Sequence, residues 1–365
     1  MSCADAAAPR RRDGLALIEE VYTEAPAPGF DEVIDARSPS EFAEDHLPGA
    51  INLPVLNDEE RARVGTLHKQ ESPFAARKLG AALVSRSIAS HLQTHFADKP
   101  RHYRPLVYCW RGGNRSGSLT TVLRAVGWQA HQLEGGYKAY RRHVIDSLEH
   151  LPERLAFRVV CGPTGVGKSR FLRALAQSGA QVLDLEALAA HMGSVLGADP
   201  LRPQPNQKYF ETQIWNLLRT FDPARPVFVE SESKRIGKLQ TPENLLTRMR
   251  MASCINLNAD LPVRVALLKE EYAHFLADPQ ALGKQLDCLT QLQGKERIEQ
   301  WKRQSTSGQW DALVADLLVR HYDPAYGRSL GINYLHAPQG ETLMLHDHHE
   351  ATFIALAQTC LAQAG

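Results

Sequence analysis

Residues 159–170 read VVCGPTGVGKSR. β-Branched residues run into a glycine-rich loop, and the pattern of RFLRALAQ then becomes that of an amphipathic helix. The loop satisfies G-x-x-x-x-G-K-[ST], with Gly162, Thr164, Gly165, Val166, Gly167, Lys168 and Ser169 as its diphosphate-binding candidates. In a strand–loop–helix frame the loop amides and the helix N-terminus converge on a diphosphate. Lys168 adds a point charge, and the Ser169 hydroxyl can reach Mg²⁺, a candidate companion ion. A chain with this loop is committed to a mainly parallel α/β sheet, with function at the C-terminal ends of its strands. The motif marks a polyphosphate site. It does not name a base or require ATP.

A second strand runs into a second glycine-rich loop at VYCWRGGNRSGS, residues 107–118. Cys109 stands at its mouth. Arg111, Gly112, Gly113, Asn114, Arg115 and Ser116 follow as candidate anion-binding residues, and a helix is expected from about Arg115. Successive amides in such a loop form an anion nest, and the helix N-terminus adds partial positive charge. Both effects, with Arg111 or Arg115, favour a thiolate. A structural cysteine does not account for two glycines and two arginines immediately downstream. The loop therefore predicts a nucleophile that accepts or displaces a group while an oxyanion is held.

The two loops divide the chain. At 365 residues it exceeds one ordinary core. Alternating strand and helix patterns predict an α/β domain over 14–146 and a P-loop NTPase-like parallel-sheet α/β domain over 155–365 with a helical C-terminal part, joined through 147–156. The expected strands include Val33–Ile34, a short one at 50–53, PLVYC, QVLDL, PVFVESES and SCINLNA, with a last strand near 332–335. Ser38 or Ser40 is expected to cap the first helix. Residues 58–97 read as helical, RPQPNQKYF as a loop before the helix ETQIWNLLRTF, and a terminal helix follows Asp347.

The formal net charge of +1 advertises no global nucleic-acid field, so any RNA contact must be local. Six scattered cysteines without a CxxC pair argue against a disulfide framework or structural zinc. The N-terminus has no long apolar stretch and predicts no secretory signal, and no apolar run approaches the roughly 20 residues that span a bilayer. A soluble cytoplasmic protein with no membrane partner is expected. Glu230 and Glu232, at the end of PVFVESES, are candidates for an acid or metal role. Lys234, Arg235 and Lys238 are candidates for RNA contact, and Arg141, Arg142, Arg248, Arg250 and KERIEQWKR add basic surface. His346, His348 and His349 read as an exposed loop, and no metal site is assigned to them.

VIDARSPSEFAEDHLPGAINLP, CWRGGNRS and LEGGYKAYR together resemble a rhodanese domain, with one departure. The Cys-x5-Arg loop is one residue longer than in sulfur-transferring rhodaneses and resembles relatives that act on phosphate-sized anions. The order rhodanese then P-loop, with VGTLHKQESPFAARKLGA, QPNQKYFE and VESESKRIG, resembles the tRNA 2-selenouridine synthase family over nearly the whole chain. That resemblance implies a transferase acting on wobble 2-thiouridine in the anticodon arm of tRNAs for lysine, glutamate and glutamine. Geranyl diphosphate would give an S-geranyl intermediate and selenophosphate would supply selenium, with no tightly bound cofactor. It implies Cys109 as the catalytic residue, the 111–116 loop as the selenophosphate site and the P-loop as the geranyl diphosphate site. Two other readings of the same loops stay open: a sulfurtransferase fused to an NTPase, and a phosphatase-like regulatory module.

Overall fold

A computed structural model of the protein describes the backbone of Leu15–Ala16 and residues 29–194, 196–197 and 202–363. Apart from Leu15–Ala16, the N-terminal stretch read for a secretory signal lies outside them. The chain divides into two compact units, 1–147 and 148–365. Each is built on a five-stranded, all-parallel sheet. The first unit is a rhodanese-like domain and the second an α/β domain of P-loop type.

In the first unit the strands are β1 (Leu15–Ala16), β2 (Glu32–Asp35), β3 (Ile51–Asn52), β4 (Pro105–Tyr108) and β5 (His131–Leu133). They lie in the order β1-β5-β4-β2-β3. Helix α1 (Pro39–Glu44) begins at Ser38, whose amide donates to the Glu41 carboxylate at 3.2 Å. Residues 58–97 are not one helix. Ser72 and Pro73 break them into α2 (Asp58–Gln70) and α3 (Pro73–Gln93), because Ser72 accepts from the Ala75 amide and Pro73 can only open a helix. Helices α4 (Asn114–Val126) and α5 (Gly136–His150) follow the two central strands. β4 is buried on both faces, which explains its unbroken apolar run, PLVY.

Beneath β4 lies a buried polar network. Arg37, 1% exposed, donates to Asp35 at 2.6 Å and to the Asp45 carbonyl at 2.6 Å. Its guanidinium stacks over the Tyr137 ring at 3.9 Å, and the Tyr137 hydroxyl donates to Asp45 at 2.8 Å. These bonds tie β2, the start of α5 and the turn after α1 into one frame.

In the second unit β6 (Phe157–Cys161) is central, in the order β12-β11-β6-β8-β7. Its partners are β7 (Gln181–Leu183), β8 (Val227–Glu230), β11 (Ser253–Ala259) and β12 (Glu341–Leu345), while β9 (Arg235–Ile236) and β10 (Leu239–Gln240) form a separate antiparallel hairpin. Helices α6 (Lys168–Gln177), α7 (Leu185–Ala189), α8 (Gln207–Leu218), α9 (Glu243–Arg250) and α10 (Leu261–Glu271) surround the sheet. Then come α11 (Ala273–Ala277), α12 (Pro279–Leu286), the single turn α13 (Thr290–Gln293), α14 (Lys295–Thr306), α15 (Trp310–Leu317), a π-helical turn over 318–322, α16 (Asp323–Asn333) and the terminal α17 (Glu350–Ala362). Phe171, Leu172 and Leu175 of α6 pack with Phe353 and Ala357 of α17 over Val160, Ile255 and Leu257.

Two expectations need correction. The last strand is Glu341–Leu345, not 332–335. Residues 332 and 333 end α16, whereas ETLML alternates about Leu343 and Leu345, which face the core. Within RPQPNQKYF only the proline-rich start is irregular, since Asn206 begins a helix at Gln207.

The Arg37 network sets a stability test. Arg37→Ala leaves Asp35 charged and buried without its partner, a loss of about 3–5 kcal/mol. Calorimetry of the full chain should show the transition of the first unit falling while that of the second stays put. A loss below about 1 kcal/mol contradicts the role given to this pair.

Candidate functional site

Cys109 follows β4 directly and is 3% exposed. Ser116 Oγ donates to its sulfur at 3.1 Å. The amides of residues 110–115 find no protein acceptor among the described residues, and of these residues all but Gly112 line the cavity over the loop. The loop carbonyls, by contrast, are turned away and tied down. Tyr137 and Lys138, in the first turn of α5, donate their amides to the Cys109 and Trp110 carbonyls at 2.8 and 2.9 Å. Gln132 Nε2 donates to the Gly112 and Gly113 carbonyls at 2.5 and 3.3 Å and to Ser116 Oγ at 2.9 Å. Gly136 has φ +54°, and a Cβ there would strike the Cys109 carbonyl, so only glycine lets α5 start this close.

Arg115 is held by Glu41, at 2.5 and 3.2 Å, and Arg61 approaches the same carboxylate at 3.6 Å. Burial opposes charge on Glu41, but the Arg115 guanidinium prevails and keeps the carboxyl below its ordinary range. An open cavity of about 350 Å³ lies over the loop, lined by Cys109, Trp110, Arg111, Gly113, Asn114 and Arg115. The structure thus brings the expected residues to one cavity, except that Ser116 supports the sulfur from below and Gly112 turns the loop. Gln132 and Glu41 were not singled out in the sequence.

In the second unit the glycine loop connects β6 to α6, whose N-cap is Gly167. Lys168 Nζ rests on the Gly162 carbonyl at 3.1 Å. Arg264, 6% exposed, donates to the Thr164 carbonyl at 3.0 and 2.7 Å and is paired with Asp323 at 2.5 Å. The Tyr326 hydroxyl accepts from the Gly162 amide at 2.5 Å. Gly165, φ +80°, lies against Leu268 so closely that a Cβ would clash at 2.8 Å.

A cavity of about 570 Å³ opens above this loop, lined by Thr164, Lys168, Ser169, Glu186, Glu232 and Tyr326 among others. Because β8 pairs directly with β6, the acids at its end stand next to the phosphate loop. Glu230 is buried beneath the cavity. One of its oxygens accepts from the Glu186 amide at 2.8 Å, and the other has no protein partner among the described residues. Burial, with Asp184, Glu186 and Glu232 nearby, pushes its carboxyl well up. Glu232 faces the cavity, and burial and the charge of Glu186 raise its pKa to about 8. Ser169 Oγ donates to Glu186 at 2.8 Å. These hydroxyl and carboxylate oxygens are the donor type that Mg²⁺ takes, so Ser169, Glu186 and Glu232 would hold it and offset the charge of a diphosphate. Lys234, Arg235 and Lys238 lie on the β9–β10 hairpin or just before it, with Lys234 paired to Glu243 at 2.8 Å.

A smaller, apolar cavity of about 60 Å³ shares Thr164, Leu268, Tyr272 and Tyr322 with the large one. Leu282, Trp310, Leu313 and Leu317 form its far side. The π-helical turn places Tyr322 at the junction, a common use of such turns.

A family model described as the tRNA 2-selenouridine synthase AAA domain matches residues 155–282, and a rhodanese-like domain model matches 18–143. A tRNA 2-selenouridine synthase of Marinobacter nauticus is 33% identical over 327 residues, covering 82% of this chain and 88% of that protein. The chain belongs to the tRNA 2-selenouridine synthase family. Within the family, the Nitrosomonas europaea synthase is 40% identical over 244 residues, 66% of this chain and 63% of its own length. The Bdellovibrio bacteriovorus synthase is 38% identical over 246 residues, 66% and 64%. The chain thus spans somewhat under two thirds of these two relatives. No helix among the described residues is long and apolar enough to cross a membrane.

The raised Glu232 carboxyl makes a stability prediction. Glu232 binds its proton more tightly folded than unfolded. Its burial is therefore tolerated below pH about 4.5 and destabilises the unit progressively as pH rises towards about 8. Glu232→Gln cannot ionise. In urea unfolding with EDTA present, it should lose part of the wild-type decline across this window. An identical pH slope contradicts the assignment.

Proposed function

We propose that this chain is a tRNA 2-selenouridine synthase that works in the cytoplasm on wobble 2-thiouridine of tRNAs for lysine, glutamate and glutamine. In the first step the thiocarbonyl sulfur attacks C1 of geranyl diphosphate. The C–O bond breaks, diphosphate departs onto the P-loop, and the base gives up its N3 proton. In the second step the Cys109 thiolate displaces selenide from the phosphorus of selenophosphate, the selenide adds at C2 and expels the geranylthio group as geranylthiol, and water then cleaves the S–P bond to release phosphate. Alkylation makes that departure possible, because a thioether sulfur leaves far more readily than a thiocarbonyl sulfur.

The observation that carries this reading is the pairing of a diphosphate cradle with an apolar slot. A nucleoside triphosphate would bring a polar base to Leu268, Leu282, Trp310, Leu313 and Leu317, where its hydrogen-bonding edges would lose water without replacement. The far end of a geranyl chain suits that lining, and each buried methylene contributes about 0.8 kcal/mol. Lys168, Ser169 and the loop amides would hold the diphosphate. In the other unit, the free amides of 110–115 with Arg111 and Arg115 suit a phosphate-sized anion, and Cys109 is the nucleophile that engages it.

Nucleoside mass spectrometry on 2-thiouridine tRNA separates the steps. Cys109→Ser should stop selenation, at least about 100-fold, and spare geranylation. Selenouridine formed at the wild-type rate by that variant contradicts the role of Cys109. Lys168→Ala should lower geranylation at least about 10-fold through loss of the charge on the diphosphate. Unchanged geranylation removes the P-loop from that step.

A further inference from the structure

An inorganic anion accounts for the amides and arginines over Cys109, but not for the aromatic ring beside them. Trp110 is 37% exposed and, among the described residues, is the one large apolar side chain lining that cavity. A tryptophan left in water at a site mouth forgoes burial that its neighbours obtain. It is also held in place. Its carbonyl accepts from the Lys138 amide at 2.9 Å, and its ring packs on Tyr137 with centroids 5.4 Å apart and planes at 31°. Tyr137 is itself only 1% exposed and anchored through Asp45 and Arg37. One face of the indole is therefore propped from inside. Beside it, the side chains of Arg111 and Asn114 are exposed and make no protein hydrogen bond among the described residues.

We propose that Trp110 is the stacking platform for the wobble base, seating the pyrimidine ring flat over the cavity so that its C2 edge faces Cys109. The proposal rests on the reading of the chain as an RNA-modifying enzyme and adds a positioning residue to it. Chemistry on a single base requires that base to leave its stack, and proteins hold such extruded bases on aromatic faces. A rigid indole supplies the face with little ordering cost. Arg111, on the rim of the anion site, adds charge that the adjoining phosphate also meets, and Asn114 supplies an amide for the base edge. The chain is nearly neutral overall, so this local pairing of ring and cation is the kind of feature by which it would hold RNA.

The test uses the full chain and a fluorescein-labelled anticodon stem-loop carrying 2-thiouridine at the wobble position, with the same stem-loop made abasic there. Anisotropy titrations should show the wild type preferring the base-containing probe by roughly 10- to 100-fold. Trp110→Leu keeps an apolar side chain without a flat face and should erase that preference. Trp110→Phe should keep most of it. A merely structural tryptophan would weaken both probes alike and leave their ratio intact. Equal preference in Trp110→Leu and wild type, or no preference in the wild type, overturns the proposal. A wild type that discriminates the probes yet forms no selenouridine would instead overturn the proposed function and leave the platform standing.

Discussion

A loop that binds an anion through its amides must first dispose of its carbonyls, and both sites depend on how that is done. Each peptide unit of a short loop carries a donor and an acceptor close together. A cradle of positive potential exists only if the acceptors are turned away and held there. In the first unit the start of α5 and the Gln132 side chain take the carbonyls of residues 109, 110, 112 and 113. In the second, Arg264 takes the Thr164 carbonyl and Lys168 takes that of Gly162. The shape of both loops is thus set largely by residues outside them, α5 and Gln132 in the first unit and Arg264 in the second.

Those restraining residues need restraint in turn. α5 is fixed against β2 by the buried frame of Asp35, Arg37, Asp45 and Tyr137, so the placement of Cys109 reaches back to Asp35, Arg37 and Asp45, more than sixty residues earlier in the chain. Arg264 is fixed by Asp323, at the N-terminus of α16, whose next turn carries Tyr326 onto the glycine loop. The helical C-terminal part therefore serves two purposes. It steadies the phosphate loop, and it walls an apolar slot beside it. The proposed diphosphate with a hydrocarbon tail rests on that combination.

The sequence made the local parts of this arrangement legible. GPTGVGKS and CWRGGNRS announce themselves because their chemistry needs consecutive residues, and the structure sets each between a strand and a helix. Gln132, Glu41, Glu186, Arg264 and Tyr326 stayed hidden for the opposite reason. Their partners at the two sites stand 16 to 164 positions away, so nothing in their own neighbourhood marks them. Arg264 lies on an ordinary helix with nothing around it to single it out, yet it is 6% exposed. Trp310, Leu313 and Leu317 carry the spacing of any helical core, and periodicity cannot tell a packed face from one that walls a slot. The misplaced last strand has a simpler cause. Ile332 and Leu335 are apolar but exposed, while the alternation of ETLML was the better signal.

The central claim is that one chain joins a diphosphate-dependent alkylation of a thiocarbonyl to its replacement by selenium. Its most direct test is a two-stage incubation of purified wild-type protein with 2-thiouridine tRNA, followed by mass spectrometry of the nucleosides. Geranyl diphosphate alone should give the S-geranyl nucleoside. Adding selenophosphate to that isolated tRNA and fresh protein should give 2-selenouridine. Selenouridine formed without any geranyl diphosphate, or a base left unchanged by both reagents, would contradict the account.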